Sequence, residues 1–363
     1  MTPARRAEIL IVGGGPAGSS AAIALAKAGR RPLLIERSAG PHDKVCGGFL
    51  GWDSLAALAR LGVDTAALGA RPISRLRLVS SRHSVEARLP RAAAGLSRRT
   101  LDEAMLRGAA SAGADILRGR TVKAADPERL SVRLDEGESI EAELLLLATG
   151  KHELRGAARG RDTSGDPVGI RTPLARSAAL NRALDGVIEL HLFDGGYGGL
   201  LLQEDGSANL CLSVARARLK AAGGVDPLIA ELKEELPSLR ERLDQSEAGA
   251  WSAIAGVPYG WRAKATEPNL YRLGDQAAVI ASLAGDGIAI ALASGRDAAQ
   301  AVIGGVGAER YQQGFASRAA RPIAIAEALR WAAEHRAGRE PMMTLAAAPL
   351  LPGLAARLTR IGG

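Results

Sequence analysis

At 363 residues the chain is long enough for two domains around a sizeable core, and its 47% hydrophobic and 24% charged residues are ordinary for a globular protein. The net charge of +8 is spread along the chain without aromatic interleaving. That excludes a nucleic-acid platform and leaves anionic cofactors, acidic substrates, an acyl-carrier partner or anionic lipid as what a basic surface attracts.

Two cysteines, Cys46 and Cys211, rule out a disulfide framework, and with five scattered histidines they offer no ligand cluster, so no metal is expected. The N-terminus, MTPARRAEILIVGGG, runs into a strand without a signal-peptide core, and no apolar run reaches the roughly 18 residues of a spanning helix. The expectation is a cytoplasmic protein, free to touch a membrane surface at its periphery.

Residues 8–12 form a short apolar run suited to a buried parallel strand. Gly13, Gly15 and Gly18 follow in G-x-G-x-x-G spacing, then an Ala-rich helical segment over 16–29 closed by Gly29. RPLLIE reads as a second strand ending at Glu36. Gly13 allows the tight turn, Gly15 lets a pyrophosphate reach the backbone, and Gly18 lets helix and strand pack closely. The helix N-terminus offers free N–H groups and a positive dipole. Glu36 sits where a carboxylate accepts from ribose hydroxyls, which argues against a ribose phosphate there. Together these predict dinucleotide binding, as FAD or NAD.

The loop KVCGGFLG (44–51) follows. Gly47 and Gly48 suit a backbone that approaches a flat ring. Cys46 between them and Lys44 reads either as a small hydrophobe or as a substrate-contact or redox group, and no Cys-x-x-Cys partner supports a dithiol cycle. Farther on, GVIELHLFDGGYGGLLLQEDGSANLCLSV reads as strands joined by hairpins. Tyr197 in it is a candidate proton donor or cavity wall, or a turn-stabilising residue, and Cys211 reads as core. DPLIAELKEELPSLRERL is an amphipathic helix broken once by proline. His152 and His191 are candidate bases without an acidic orienter recognisable by spacing. A short strand over 270–273 precedes Gly274 and Asp275, and the turn Gly285-Asp286-Gly287 opens an Ala-rich helix at Ile288. Such an Asp can bond a ribityl hydroxyl, and such a helix start can face a flavin pyrimidine edge. Residues 309–360 read as Ala/Leu/Arg-rich helix, and 341–356, with three prolines and no charge, as a short helical lid.

With the second glycine motif added to the first, the chain resembles the glutathione-reductase-type flavoproteins, and within them the p-hydroxybenzoate-hydroxylase-like group. LSRRTLDEAML resembles the group's R-x-x-L-D segment, which places Arg98 at the flavin and Asp102 on the following helix. ELLLLATGKHELRG resembles the segment where the chain leaves the FAD domain, with Thr149 and Gly150 near the cofactor. KVCGGFL, ATGKHELRG, FDGGYGGLL with NLCLSV, and GVPYG make it most similar to the geranylgeranyl-reductase-like branch of monooxygenases, halogenases and prenyl reductases, over roughly residues 7–300. A proline common ahead of the second glycine turn is replaced by Ala281-Ser282-Leu283.

The resemblance implies an α/β fold: a Rossmann-like FAD-binding domain of glutathione-reductase type, an inserted mixed β-sheet substrate domain and C-terminal helices. The expected division is 1–75, 95–165 and 266–315 for FAD, 76–94 and 166–265 for substrate, and 316–363 for the helices. It implies FAD as cofactor, with Arg37, Lys44, Cys46 and Val122 joining the residues already named at it, and a catalytic part for Cys46. No second G-x-G-x-x-G unit follows, so NAD(P)H is expected to bind only transiently as electron donor. The leading expectation is monooxygenation of a hydrophobic small molecule through a flavin C4a-hydroperoxide. The alternative is reduction of C=C bonds in a prenyl or lipid chain. Halogenation ranks below both because the W-x-W-x-I-P segment is missing, with Trp251 alone in WSAIAGVP. A non-catalytic FAD module is a further alternative.

Overall fold

The computed structural model describes residues 5–348 and 351–361; the first four residues of the N-terminal segment, and Pro349 and Leu350 of the expected lid, lie outside them. The chain opens as β1 (Arg5–Val12), α1 (Pro16–Lys27), β2 (Leu33–Glu36), β3 (Phe49–Leu50) and α2 (Trp52–Leu61). It continues as β4 (Arg71–Val79), β5 (Ser84–Gly95), α3 (Arg98–Ala112), β6 (Asp115–Arg118), β7 (Val122–Asp126), β8 (Ser131–Leu134) and β9 (Ser139–Leu147). The middle of the chain is β10 (Val168–Leu174), α4 (Ala178–Leu184), β11 (Val187–Phe193), β12 (Gly196–Leu202) and β13 (Ala208–Val214). Then come α5 (Arg216–Ala222), α6 (Val225–Glu235), α7 (Pro237–Asp244), β14 (Ser252–Ile254) and β15 (Leu270–Arg272). Four helices close it: α8 (Gly287–Ile303), α9 (Ala308–Glu334), α10 (Arg336–Ala346) and α11 (Leu351–Leu358).

The first sheet runs β6-β2-β1-β9-β8-β7, with β15 also on β9. Its β6, β2, β1, β9 and β15 are parallel, Leu10 pairing with Leu33 on one side and Leu145 on the other. Continuous apolar runs are what a sheet covered on both faces requires, and Ile9–Val12 and Leu145–Leu147 are buried without a break. Helices α1 and α8 pack so closely that a Cβ at Gly295 would lie 2.2 Å from the Ala17 carbonyl oxygen. The small residues of both Ala-rich helices permit this approach.

The second sheet has the order β14-β10-β13-β12-β11-β4-β5-β3, antiparallel except for the β11–β4 pair. It combines strands from before and after the first sheet's β9, as an inserted domain does. One face packs Leu228, Leu232 and Leu239 of α6 and α7. The other turns Leu78, Ile188, Leu190 and Leu201 toward α9 and α10. Pro237, lacking an N–H, starts a new helix, so the amphipathic stretch is two helices, α6 and α7.

His191 is a correction to the list of candidate bases. On β11 the residues at 188 and 190 line the cavity, so strand alternation turns Glu189 and His191 to the opposite face, both fully buried. There His191 Nε2 meets Glu189 Oε2 at 3.2 Å, with Arg242 Nη2 at 3.1 Å and Arg77 also paired to the carboxylate. Burial alone would raise the Glu189 carboxyl, but hydrogen bonds and charge from His191 and Arg242 hold it at about 2. Because this folded-state value lies below the ordinary 4.5, the stabilisation is present above that value and is lost as pH falls toward 2. By linkage it amounts to about 3 kcal/mol near neutral pH. In urea unfolding, the stability gap between wild type and Glu189→Gln should therefore narrow steadily as pH drops from 5 to 2; a gap independent of pH would contradict the assignment.

Candidate active site

The first glycine turn is fixed from several sides. Gly13 has φ +108° and donates to the Ile35 carbonyl at 2.8 Å. A Cβ there would stand 2.4 Å from the Ala148 carbonyl oxygen, and one at Gly18 would stand 1.9 Å from that of Gly13. Gly15 caps α1 without a side chain, leaving the first-turn N–H groups facing the cavity. Glu36, 4% exposed, accepts from Gly14 N–H at 2.8 Å and Ser38 N–H at 3.0 Å. Burial works to raise its carboxyl, but the Lys44 charge and the two N–H donors outweigh it and the net shift is downward.

Two cations stand over this helix start. Arg98 makes a two-pronged bond to Asp102, 2.7 Å on each arm, and Lys44 Nζ lies 3.4 Å from the same carboxylate. Arg98 Nη2 would be 3.4 Å, and Lys44 Nζ 4.0 Å, from a Cβ placed on Gly15. A helix N-terminus with two fixed cations is a site for phosphate oxygens. Asp102 holds Arg98 in place and itself stays off the cavity.

The loop 44–48 is pinned by residues that sequence reasoning missed. Asn209 on β13 donates to the Cys46 and Gly47 carbonyls, each at 2.9 Å. Arg171 on β10 bonds Asn209 Oδ1 at 2.6 Å and pairs with Asp43 at 3.1 Å. Their signal was two polar side chains in apolar strands, Arg171 in VGIRTPL and Asn209 in ANLCLSV. So held, the loop keeps Gly47 open, with no neighbour within 4 Å of its Cβ position, and Gly48 at φ +74° against the Leu96 carbonyl. Cys46 lines the cavity and so does Cys211, half-buried and not the core residue expected. Two residues beyond Asn209 on the same strand, Cys211 shares its face. Burial pushes the Cys211 thiol up to about 12, so it stays protonated. Lys151, just past the A-T-G turn, was also missed: it lines the cavity and donates to the Val45 carbonyl at 3.2 Å.

All the glycines and polar residues expected at the cofactor line one cavity of 1410 Å³, except Gly18, whose part is packing. Glu36, Arg37, Val122, Thr149, Gly150, Gly274, Asp275, Gly285, Gly287 and Ile288 all lie along it. His152 is there too, accepting from Arg37 at 3.0 Å, and burial together with the Arg37 and Lys44 charges pushes its ring toward the neutral form. Tyr197 lines the same space. Its hydroxyl lies 2.7 Å from Ser282 Oγ, which lies 2.7 Å from the Tyr259 hydroxyl, and it accepts from Leu283 N–H at 3.1 Å. In the sequence Tyr259 and Ser282 stood only within GVPYG and the Ala281-Ser282-Leu283 stretch, without a role of their own.

The residues present fit FAD. Two glycine-opened helix starts, two cations at the first and an Asp275 carboxylate that no hydrogen bond engages among the described residues suit a long anionic dinucleotide. The volume exceeds the roughly 300–1,000 Å³ of a one-ligand pocket, leaving an apolar remainder between β4, β11 and β12 on one side and α9, α10 and α11 on the other.

Residues 6–166 match the model of the FAD binding domain. Menaquinone reductase of Mycolicibacterium smegmatis is 29% identical over 326 residues, 83% of this chain and 77% of its own. Menaquinone reductase of Mycobacterium tuberculosis is 28% identical over 353 residues, 88% of this chain and 83% of its own. Among solved structures, the flavin-dependent brominase Bmp2 superposes with TM-score 0.79 at 17% identity, covering 98% of this chain and 93% of that one. A geranylgeranyl bacteriochlorophyll reductase-like protein from Thermoplasma acidophilum gives 0.76 at 18%, covering 98% and 95%. The structural likenesses fix the fold along nearly the whole chain, the domain match falls on the residues that build the first glycine turn and its cations, and the curated relatives are reductases: the chain is an FAD-dependent oxidoreductase.

Proposed function

We propose that this flavoenzyme reduces a carbon–carbon double bond in a long apolar chain of isoprenoid type, and relatives named menaquinone reductase make a quinone that carries such a chain the substrate class to test first. The observation that carries this is the apolar remainder of the cavity. It continues from Cys46 and Tyr197, past Leu78, Ile188 and Leu190, to a mouth between α9 and α11 where Trp331, Leu345 and Leu354 are half or more exposed. A space of that length and lining suits an extended hydrocarbon better than a compact polar molecule.

FAD, when bound, supplies a two-electron store for hydride transfer. The chain's own residues orient and protonate. Reduction of the double bond takes up one hydride and one proton, and Tyr197 is the proton donor in this reading. Burial pushes its phenol well above its ordinary value, so the proton is retained until a carbanion-like centre demands it. Leu283 N–H occupies the tyrosine oxygen as donor, and Ser282 and the half-buried Tyr259 offer a route for replacing the proton. The electrons come from a donor that binds transiently, NAD(P)H in this reading. Tyr197→Phe should keep its FAD and lose about 10²-fold in turnover, the scale of general-acid catalysis; turnover near wild type would leave Tyr197 as cavity wall only.

Monooxygenation would draw on the same cavity, and the product separates the two. Enzyme given NADPH or dithionite and a polyprenyl lipid should yield a product heavier by two hydrogens. A product heavier by one oxygen atom would replace this reading with oxygen transfer.

A further inference from the structure

The C-terminal end of the described chain is anchored in an unexpected place. Arg360 follows α11, yet its side chain is 7% exposed. It is ion-paired with Asp286, which is fully buried, and with Asp53 Oδ1 at 3.4 Å, and it lies 4.1 Å from the centre of the Trp52 ring. A Cβ at Gly51 would stand 2.4 Å from its Nη1, so the guanidinium enters through a gap that only glycine leaves. Among the described residues these are the only ion pairs made by residues 351–361.

Asp286 is the N-cap residue of α8, where a carboxylate ordinarily bonds the free N–H groups of the first turn. Here it makes no such bond, and neither of its oxygens has a hydrogen-bond partner. Its buried charge is compensated by Arg360, and the α8 start, with Gly285 and Gly287 on the cavity, is left open. An unpaired carboxylate in a buried site is destabilising and opposes any further negative charge nearby.

We propose that Arg360 is a positioning residue that couples the C-terminal helices to the redox site: by neutralising Asp286 at the start of α8 it favours the reduced, anionic flavin and, in the same contact, holds α11 over the cavity. This rests on the reading that the flavin's pyrimidine edge lies at the Gly285–Gly287 turn. The closed lid and the electrostatically competent site are then one state, since α11 leaves only by withdrawing the counter-charge. Leu351, Leu354 and Leu358 of that helix line the cavity, so its release also opens the apolar space.

The test uses the FAD-loaded full chain and the variants Arg360→Met, Arg360→Lys, Asp286→Asn and Asp286→Asn/Arg360→Met. Two quantities are read: the midpoint potential of the bound flavin, and the rate at which protease trims the C-terminal segment. Arg360→Met should move the potential to more negative values and speed trimming. Asp286→Asn should move it to more positive values, and the double variant should return it to near wild type. Arg360→Lys, which keeps the charge and loses the planar stack on Trp52, should hold the potential while trimming accelerates; it also serves if the Met variant folds poorly. An unmoved potential in Arg360→Met, with Asp286→Asn shifted, overturns the role of Arg360. An unmoved potential in Asp286→Asn as well shows that the flavin lies elsewhere, which overturns both the proposal and the placement it rests on.

Discussion

Replacing Gly18 with alanine should yield a protein that no longer holds FAD. The new methyl carbon would lie 1.9 Å from the Gly13 carbonyl oxygen and 3.2 Å from Ile11 Cγ2, closer to backbone than any real Cβ comes. The side chain cannot rotate away, so α1 must move off β1, and the Gly13–Gly15 turn moves with it. Overpacking of this kind costs about 1–3 kcal/mol in stability. The larger effect is on binding, because the N–H groups of α1 and the cations above them act only at their present distance. The flavin-to-protein absorbance ratio after purification, followed by FAD titration, measures the loss, expected at about 10²-fold or more for two displaced charge-assisted contacts. Gly314→Ala is the control. That glycine lies in α9 with open space around its Cβ position, so alanine should raise stability by up to about 1 kcal/mol with FAD retained. FAD affinity at the wild-type level in Gly18→Ala would show that the turn is not the phosphate site.

Arg98→Met should act on stability and binding separately. It strips the two 2.7 Å bonds from Asp102 and leaves that carboxylate, 8% exposed, with Lys44 alone at 3.4 Å. Removing one partner of a buried pair costs about 3–5 kcal/mol, most of it the penalty on the charge left behind. It also removes a guanidinium from over the α1 start, worth about 10–10²-fold in affinity for an anionic ligand. The double variant Arg98→Met/Asp102→Leu should recover most of the stability in urea unfolding and none of the FAD affinity. Recovery of both would mean that Arg98 serves the fold and not the cofactor.

The two glycine turns were legible in the sequence because each is a local device: strand, glycines and helix start follow one another within a few residues, and the acid closing β2 lies on the next strand. What escaped was contact between distant segments. Asn209 holds the Cys46–Gly47 loop across 163 positions, and a polar residue in an apolar strand announces only that it has a partner, not which. Cys211 read as core because its strand is mostly apolar; that its side chain reaches the cavity is decided by pairing with β10 and β12. His191 had its orienter two positions away in Glu-Leu-His, the spacing that brings side chains to one strand face, but on the side of the sheet away from the cavity. Arg360 meets Asp286 across 74 positions and Asp53 across 307, separations that no periodicity reports.

Transfer of electrons from this enzyme to a carbon–carbon double bond can be watched without oxygen. FAD-loaded enzyme reduced by one equivalent of dithionite is mixed anaerobically with a polyprenyl lipid while the flavin absorbance is followed. The oxidised spectrum should return on adding the lipid, at a rate that saturates with its concentration, and should not return with the fully saturated analogue. A flavin that stays reduced with both lipids, and reoxidises only when oxygen is admitted, would mean that the double bond is not the acceptor.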